Sequence, residues 1–473
     1  MLSPHASNSS EALSSVVQFD SLRLSADIGQ PTTPQKTTSL NSKYQHSLEL
    51  QLQLGQSELE NFNGNWSSAF ASEIPTLTRQ VPLRHQSSKT SKNQRRSIDE
   101  LIGLEQSEAL QIGNDPADSL TNQNGSGANS VTSANFATGE KKDWTVMVYM
   151  AGNDLEKFAL QDFRQMAKIG SDQNVNIVVQ LDRTAGYSGA MGNWTGTKRG
   201  LVKAGDLPDR KWGKNIGEAN MGNADTLKDF VNWGMNQYQA DNYAVVLWGH
   251  GDGNSVAYDD ITNNGINAKE LNNAVRTLPD TIDLIGTDAC LMGNIKFAQK
   301  ISHAASVYVG SQANEPGYGW NYTTVLGDLK ANFTMNAAQL GTAIVDRYAE
   351  QSNQKQVGYE TLSAIDLALL NFNSANNLPA ALEQLKTTIT NLATAEDSQK
   401  LQAHQNSAWK SIGSTGYYED LGSLLGCIAS DESISSDIRT AAQNALAIYD
   451  LAVIQNYSYT GEGTGLSNEV RPF

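Results

Sequence analysis

The sequence predicts an α/β fold built on a mostly parallel central sheet flanked by helices. Two apolar runs carry that expectation, Tyr243-Ala244-Val245-Val246-Leu247 and Ile282-Asp283-Leu284-Ile285-Gly286-Thr287. Each is short, continuous and rich in small or β-branched residues, as a strand buried on both faces reads. Between them a polar loop, 252–267, leads into Ala268 to Leu278, where Leu271, Ala274, Val275 and Leu278 recur at helical spacing. Strand, crossover helix and parallel strand make one unit of such a sheet.

Each run delivers a reactive side chain. The first ends in Trp248-Gly249-His250-Gly251 and the second in Thr287-Asp288-Ala289-Cys290. Parallel neighbours lie about 4.8 Å apart and point the same way, so residues just past their carboxyl ends converge on one rim. A histidine and a cysteine brought together in this way suggest a thiol peptidase. Taken singly, each has a plainer reading, because a buried cysteine is usually a small hydrophobe and a histidine after a strand often bonds a loop. Cys290 is expected to open a helix, Leu291 to Ile301, with Leu291, Ile295, Ala298 and Ile301 on one face and Asp288 as its cap. A helix amino terminus lowers a thiol pKa and favours the thiolate. The backbone amides of Gly251 and Cys290 would then receive the oxyanion of a tetrahedral intermediate.

The His-Gly and Asp-Ala-Cys segments, each after an apolar strand, resemble the clostripain family of cysteine endopeptidases. Trp144-Thr145-Val146-Met147-Val148-Tyr149-Met150-Ala151-Gly152-Asn153-Asp154-Leu155-Glu156 is similar to that family's opening strand and polar turn, and Asn174 to Asp182 to its second strand. Glu315-Pro316-Gly317-Tyr318-Gly319-Trp320, after the strand Ser306 to Gly310, matches a segment that follows the nucleophile. Leu362 to Leu367 and Tyr418-Glu419-Asp420-Leu421 recur in the expected order. The resemblance implies a caspase-like three-layer sandwich and protein or peptide substrates.

It also assigns roles. Cys290 is the nucleophile and His250 the general acid/base. Asp288 matches a carboxylate at the base of the primary specificity pocket, which implies cleavage after Arg or Lys; the competing reading of Asp288 is the helix cap. Activation by self-cleavage is a family habit, and Lys269 and Arg276 are the two basic residues between His250 and Cys290. Lys269 is the expected site because it follows the loop Asn263-Asn264-Gly265, against the plain alternative of a solvated first-turn lysine. No cofactor is required and no metal ligands are assigned. Calcium stays open, since it is linked to clostripain itself and Asp259-Asp260 offer oxygen atoms. Two rival readings remain: a metacaspase-type peptidase of another lineage, and a catalytically silent binding module on the same fold.

The chain of 473 residues divides by composition. Residues 1–140, crowded with Ser, Thr, Asn and Gln, are expected to be a disordered polar tail or pro-segment containing Arg95-Arg96 and a short helix around 97–110. Residues 141–473 form the peptidase domain, with its sheet core in 141–370 and a mainly helical part in 371–473. In that part Leu382, Leu385, Ile389 and Leu392 recur at helical spacing within Leu378 to Leu392, and Ile438 to Ile454 repeats the pattern. The closing segment Gly463 to Ser467 resembles the start of a final strand, but Asn468 to Phe473 breaks the apolar run, so that strand is expected to be short or lost.

The formal charge of −16 argues against nucleic acid, because no Lys/Arg stripe is present to neutralise phosphates. No apolar run reaches the roughly 18 to 20 residues that cross a bilayer. The segment Met1-Leu2-Ser3-Pro4-His5 has neither the basic region nor the apolar core of a secretory signal, so a cytoplasmic enzyme or export by a signal-independent route is expected, as a monomer. Of the two cysteines, Cys427 lies among Leu424, Leu425 and Ile428 and reads as core, leaving neither a disulfide framework nor a thiolate zinc site.

Overall fold

A computed structural model describes residues 141–374, 376–408 and 418–469. The polar stretch 1–140, with its arginine pair and expected helix, and the final residues 470–473 lie outside the described residues.

Strands β1 (Lys142–Ala151), β2 (Val175–Arg183), β5 (Ala240–Trp248), β8 (Ile282–Asp288) and β9 (Ala305–Gly310) form a parallel core. Antiparallel edges complete it: β3 (Gly196–Leu201) and β4 (Lys214–Gly217) beyond β2, and β10 (Thr361–Asp366) and β12 (Val453–Ser458) beyond β9. The spatial order is β12-β10-β9-β8-β5-β1-β2-β3-β4. Two small ribbons stand apart from it, the hairpin β6 (Ser255–Asp259) with β7 (Asn264–Asn267), and β11 (Tyr418–Asp420) with β13 (Ser467–Glu469). The last described strand, β13, spans three residues, and the remainder of the segment expected to break it lies outside the described residues.

The continuous apolar runs are explained by burial on both faces. Along β1, Val146, Val148 and Met150 enter one core and Met147, Tyr149 and Ala151 the other. The first core is covered by α1 (Glu156–Ile169), α5 (Tyr322–Ala331) and α6 (Ala337–Lys355). The second is covered by α2 (Ala224–Gln237), α3 (Ala268–Val275), α4 (Ile295–Lys300) and helices of the carboxyl-terminal part, α7 (Leu378–Leu392), α9 (Leu421–Ser430) and α10 (Ser436–Ala452), with α8 (Ala395–Ser407) adding Leu401. The result is a three-layer α/β sandwich. Each fully buried Val, Leu or Met contributes about 1.5–3 kcal/mol, so a sheet that alternates its side chains between two apolar layers is held firmly in register. Asn377 caps α7 by accepting from the Ala380 N–H at 2.8 Å, with Pro379 in the first turn where its missing N–H costs nothing.

Candidate active site

Strands β5 and β8 end level. Trp248 is paired with Asp288, and the Gly249 N–H donates to the Asp288 carbonyl at 3.3 Å. His250 and Cys290 each lie two residues beyond that pair, on the same rim. The two loops then press together: a Cβ at Gly251 would stand 2.5 Å from the Cys290 carbonyl oxygen and 2.9 Å from Met292 Cγ, so only glycine permits this approach.

His250 is positioned by a residue the sequence reading did not single out. Its Nε2 lies 2.9 Å from Oδ1 of Asp154, in the 3-10 turn Asn153–Leu155 that follows β1, and the imidazole side chain is 46% exposed. The hydrogen bond to Asp154 raises the imidazole pKa, against the opposing effect of burial, with the charges of Asp154 and Asp260 adding to the rise. An ionised carboxylate only accepts, so Nε2 carries hydrogen and Nδ1 is the nitrogen free to exchange a proton. Asn153 locks the turn, donating from Nδ2 to the Tyr258 carbonyl at 2.8 Å and accepting from Thr184 Oγ1 at 2.8 Å.

Cys290 departs from expectation. The helix that it was expected to open begins only at Ile295, where Asn294 Oδ1 accepts from the Phe297 N–H at 2.9 Å. Leu291 adopts φ 65°, outside the helical region. Long-range bonds hold this loop in place of a helical turn: the Leu291 N–H donates to the Ala313 carbonyl (3.0 Å), the Gly293 N–H to that of Ser311 (2.6 Å), and the Ser467 N–H to that of Gly293 (2.9 Å). The thiol consequently lacks a helix terminus beneath it. Burial pushes its pKa up, outweighing the hydrogen bond that the Glu315 N–H donates to Sγ at 3.3 Å, and the neighbouring Asp288 charge pushes the same way. The resting thiol is thus protonated, and it is not hydrogen-bonded to His250.

Asp288 is not a helix cap. Its buried Oδ2 accepts from the Trp320 N–H at 3.2 Å and from the Tyr322 hydroxyl at 2.8 Å. Gly319, at φ 53°, passes so close that a Cβ there would stand 2.9 Å from Asp288 Oδ1. Two further acids missed by the sequence reading face the same region. Asp162 on α1 accepts from Trp248 Nε1 at 2.9 Å, and the buried carboxyl group of Glu315 lies against Asp288, a side-chain hydrogen bond between them raising the Glu315 pKa and opposing the rise at Asp288. Burial raises all three pKa values, and the Asp288 charge raises those of Asp162 and Glu315 further. No Lys or Arg among the described residues is paired with any of them. Asp162 lies outside every motif read in the sequence, and Glu315 stood inside a quoted motif without a role.

Lys269 lies in the first turn of α3, its N–H donating to Asn267 Oδ1 at 3.1 Å within a capping box completed by Glu270. Arg276, expected inside that helix, is its exposed carboxyl cap. Asp259 and Asp260 diverge: Asp259 is buried, whereas Asp260 Oδ2 accepts from the Tyr187 hydroxyl at 2.9 Å. Cys427 on α9 is half-buried rather than core, because the face of α9 that enters the apolar layer carries Leu424, Leu425 and Ile428.

The Cys290 loop and the His250 loop thus sit at the carboxyl ends of adjacent parallel strands in a three-layer α/β sandwich. The sequence model of the clostripain family matches residues 148–470, and the chain belongs to that family of cysteine-type endopeptidases. Clostripain of Hathewaya histolytica is 25% identical over 366 residues, 64% of this chain and 68% of that protein. The X-ray structure of a secreted C11 cysteine protease from Bacteroides thetaiotaomicron, in complex with an irreversible peptide inhibitor, is 22% identical and covers 70% of this chain and 89% of its own, with a TM-score of 0.49. A further structure of a secreted C11 cysteine protease from that organism shares the fold at a TM-score of 0.51, with 14% identity over 67% of this chain and 87% of its own. Among the described residues, no helix is long and apolar enough to cross a membrane.

Proposed function

We propose that this peptidase cleaves after Arg or Lys through a dyad of Cys290 and His250. The observation that carries the reading is the level ending of β5 and β8, Trp248 opposite Asp288, which places both residues at one rim. In the acylation step Sγ attacks the scissile carbonyl carbon and the thiol proton passes to His250 Nδ1. The oxyanion is received by the N–H groups of Gly251 and Cys290. The imidazolium then protonates the leaving amine as the C–N bond breaks, leaving a thioester. Water attacks the thioester, gives its proton to His250, and the acid product leaves as the thiol is restored. Asp154 stabilises the imidazolium between these proton transfers. A thiol with a raised pKa fits a nucleophile deprotonated in step with attack.

The basic preference rests on charge. Asp162, Asp288 and Glu315 share one buried region with no cation of the protein's own, and an ammonium or guanidinium entering it would pair with carboxylates in a low dielectric. Self-cleavage after Lys269 is part of the same proposal, and it requires the first turn of α3 to open. A peptide library randomised before the scissile bond, cleaved by wild type and by Cys290→Ala, tests the reading. Basic preference that vanishes in the variant supports it; cleavage that survives in the variant, or prefers another residue type, overturns it.

A further inference from the structure

The rim that carries His250 and Cys290 continues past the thiol onto a cluster of tyrosines that the proposed chemistry leaves unused. Strand β9 runs parallel to β8 and ends at Gly310, and the antiparallel β10 begins beside that end, Ser363 opposite Gly310. Strand β12 finishes there too, Ser458 opposite Thr361. Tyr359 stands two residues before Thr361 and Tyr459 one residue after Ser458, so both occupy this rim. Tyr318 reaches it from the segment that follows β9.

One buried acid gathers the three. Glu360 Oε1 accepts from the Tyr318 hydroxyl at 2.7 Å, and Oε2 from the Gly358 and Tyr359 N–H groups at 2.8 and 2.9 Å. The Glu360 carbonyl accepts from the Tyr459 N–H at 2.9 Å. Gly358, at φ 101°, brings the turn so close to Tyr459 that a Cβ there would lie 3.8 Å from the ring. Tyr149, Tyr308 and Tyr348 are fully buried, whereas Tyr318 and Tyr359 are half-buried and Tyr459 is 38% exposed. The segment bearing Tyr318 also touches the site: the Glu315 N–H donates to Cys290 Sγ and the Trp320 N–H to Asp288. One short stretch therefore links the thiol and the acidic region to the tyrosines.

The chemistry proposed above gives a bound peptide its direction. His250 protonates the leaving amine, so the chain after the scissile bond departs on the β5 side. The chain before it lies on the other side of Cys290, over the ends of β9 and β10. An extended peptide advances about 3.3 Å per residue and turns alternate side chains to opposite faces. The residue before the scissile bond points at the acids beside Gly319 and Trp320, so the third residue before the bond faces the same segment. From a carbonyl in contact with Sγ, that third residue lies about 7–10 Å away, and two strand spacings of about 4.8 Å separate β8 from β10.

We propose that Tyr318, Tyr359 and Tyr459 form a subsite for an aromatic or large aliphatic side chain on the third residue before the scissile bond. Aromatic rings tethered by a buried anchor offer apolar area and lose little freedom when a guest arrives. The surrounding charge favours a neutral guest. The Lys355 ammonium stands 5.9 Å from the centroid of the Tyr318 ring and opposes a second cation, while Glu360 opposes an anion. The subsite rests on the peptidase reading for the direction of the peptide, and its test separates the two.

Wild type is assayed on capped peptides Xaa-Ala-Arg bearing a fluorogenic amide, Xaa being Phe, Leu, Ala, Lys or Glu. The full chain carrying Cys290→Ala is titrated calorimetrically with the corresponding product acids. Phe and Leu exceed Ala in kcat/KM by about tenfold, the order of selectivity an apolar pocket gives, and Lys and Glu do not exceed Ala. The product acids bind in the same order. Tyr359→Ala and Tyr459→Ala each reduce the Phe-to-Ala ratio to about twofold or less. Phe372→Ala, which removes an exposed ring beyond the other end of β10, keeps the ratio. Because the ratio compares two peptides on one variant, a general loss of activity does not move it. A wild-type ratio near one, a preference for Lys or Glu, or a ratio undiminished in both tyrosine variants overturns the subsite and leaves the peptidase reading intact. If wild type cleaves none of the peptides, the peptidase reading fails, and the product acids decide the subsite alone: tighter binding of the Phe acid upholds it, and equal binding of the Phe and Ala acids overturns it.

Discussion

The carboxylate of Asp154 reaches Nε2 of His250 across 2.9 Å because β1 and β5 are neighbours in register, Met150 opposite Trp248. The turn after one strand thereby orients the side chain after the other. Replacing Asp154 with Asn removes the charge that raises the imidazole pKa. The limb of the pH profile of kcat/KM that reports the imidazole should move to lower pH, and kcat should fall by roughly 10²-fold. An unshifted profile with unchanged kcat would remove Asp154 from the mechanism.

Asp288→Asn separates specificity from chemistry. The amide keeps an acceptor for the Trp320 N–H and the Tyr322 hydroxyl but loses the charge. Cleavage after Arg and Lys should drop by about 30-fold or more, since losing one member of a buried charged pair costs about 2–5 kcal/mol. Alkylation of Cys290 should meanwhile shift to lower pH, because the Asp288 charge is one of the influences holding the thiol pKa up. Loss of basic cleavage without that shift would mean that the two groups do not communicate.

The buried acids should make stability depend on pH in an uncommon direction. Asp162, Asp288 and Glu315 have raised pKa values in the folded chain, so the folded state holds protons that the unfolded state has released. Their stabilising effect is present below the ordinary carboxylate range and fades as pH rises toward the raised folded values. Urea unfolding of the Cys290→Ala chain at several pH values should show Glu315→Gln more stable than its parent near pH 8, the two curves converging near pH 4. Parallel curves would show that Glu315 is not strained by its charge.

Self-cleavage at Lys269 should be governed by the cap of α3. Asn267→Ala removes the acceptor for the Lys269 and Glu270 N–H groups, a loss of about 1 kcal/mol, and should hasten maturation by about 5-fold. Lys269→Ala should stop it. A Lys269→Ala chain that still yields the same two fragments would exclude the site and turn attention to the exposed Arg276.

Much of this was legible in the chain. Strands β5 and β8 announce themselves because burial on both faces demands unbroken apolar runs, and level strand ends follow from parallel pairing, so His250 and Cys290 could be placed from local pattern. Asp154, Asp162 and Glu315 could not, since their meaning lies in partners 96, 86 and 25 residues away. The helix expected at Cys290 failed for a related reason: Leu291, Ile295 and Ala298 have helical spacing, but bonds to Ser311, Ala313 and Ser467 outbid the first helical turn. No periodicity records a bond to a residue so distant.

The bond from Ser467 to the Gly293 carbonyl joins residues 174 positions apart. Gly465 reinforces it, donating to Gln312 Oε1 at 3.1 Å, while Gln312 Nε2 holds Asp420 at 2.8 Å. Seen as an event in time, this is a clock. A ribosome that has finished His250, Cys290 and the whole parallel sheet has still not made the residues that tether the Cys290 loop. Every partly synthesised chain carries its thiol on a loop lacking that tether, and a peptidase that could attack its own translation partners acquires its finished geometry only after residue 467 has emerged.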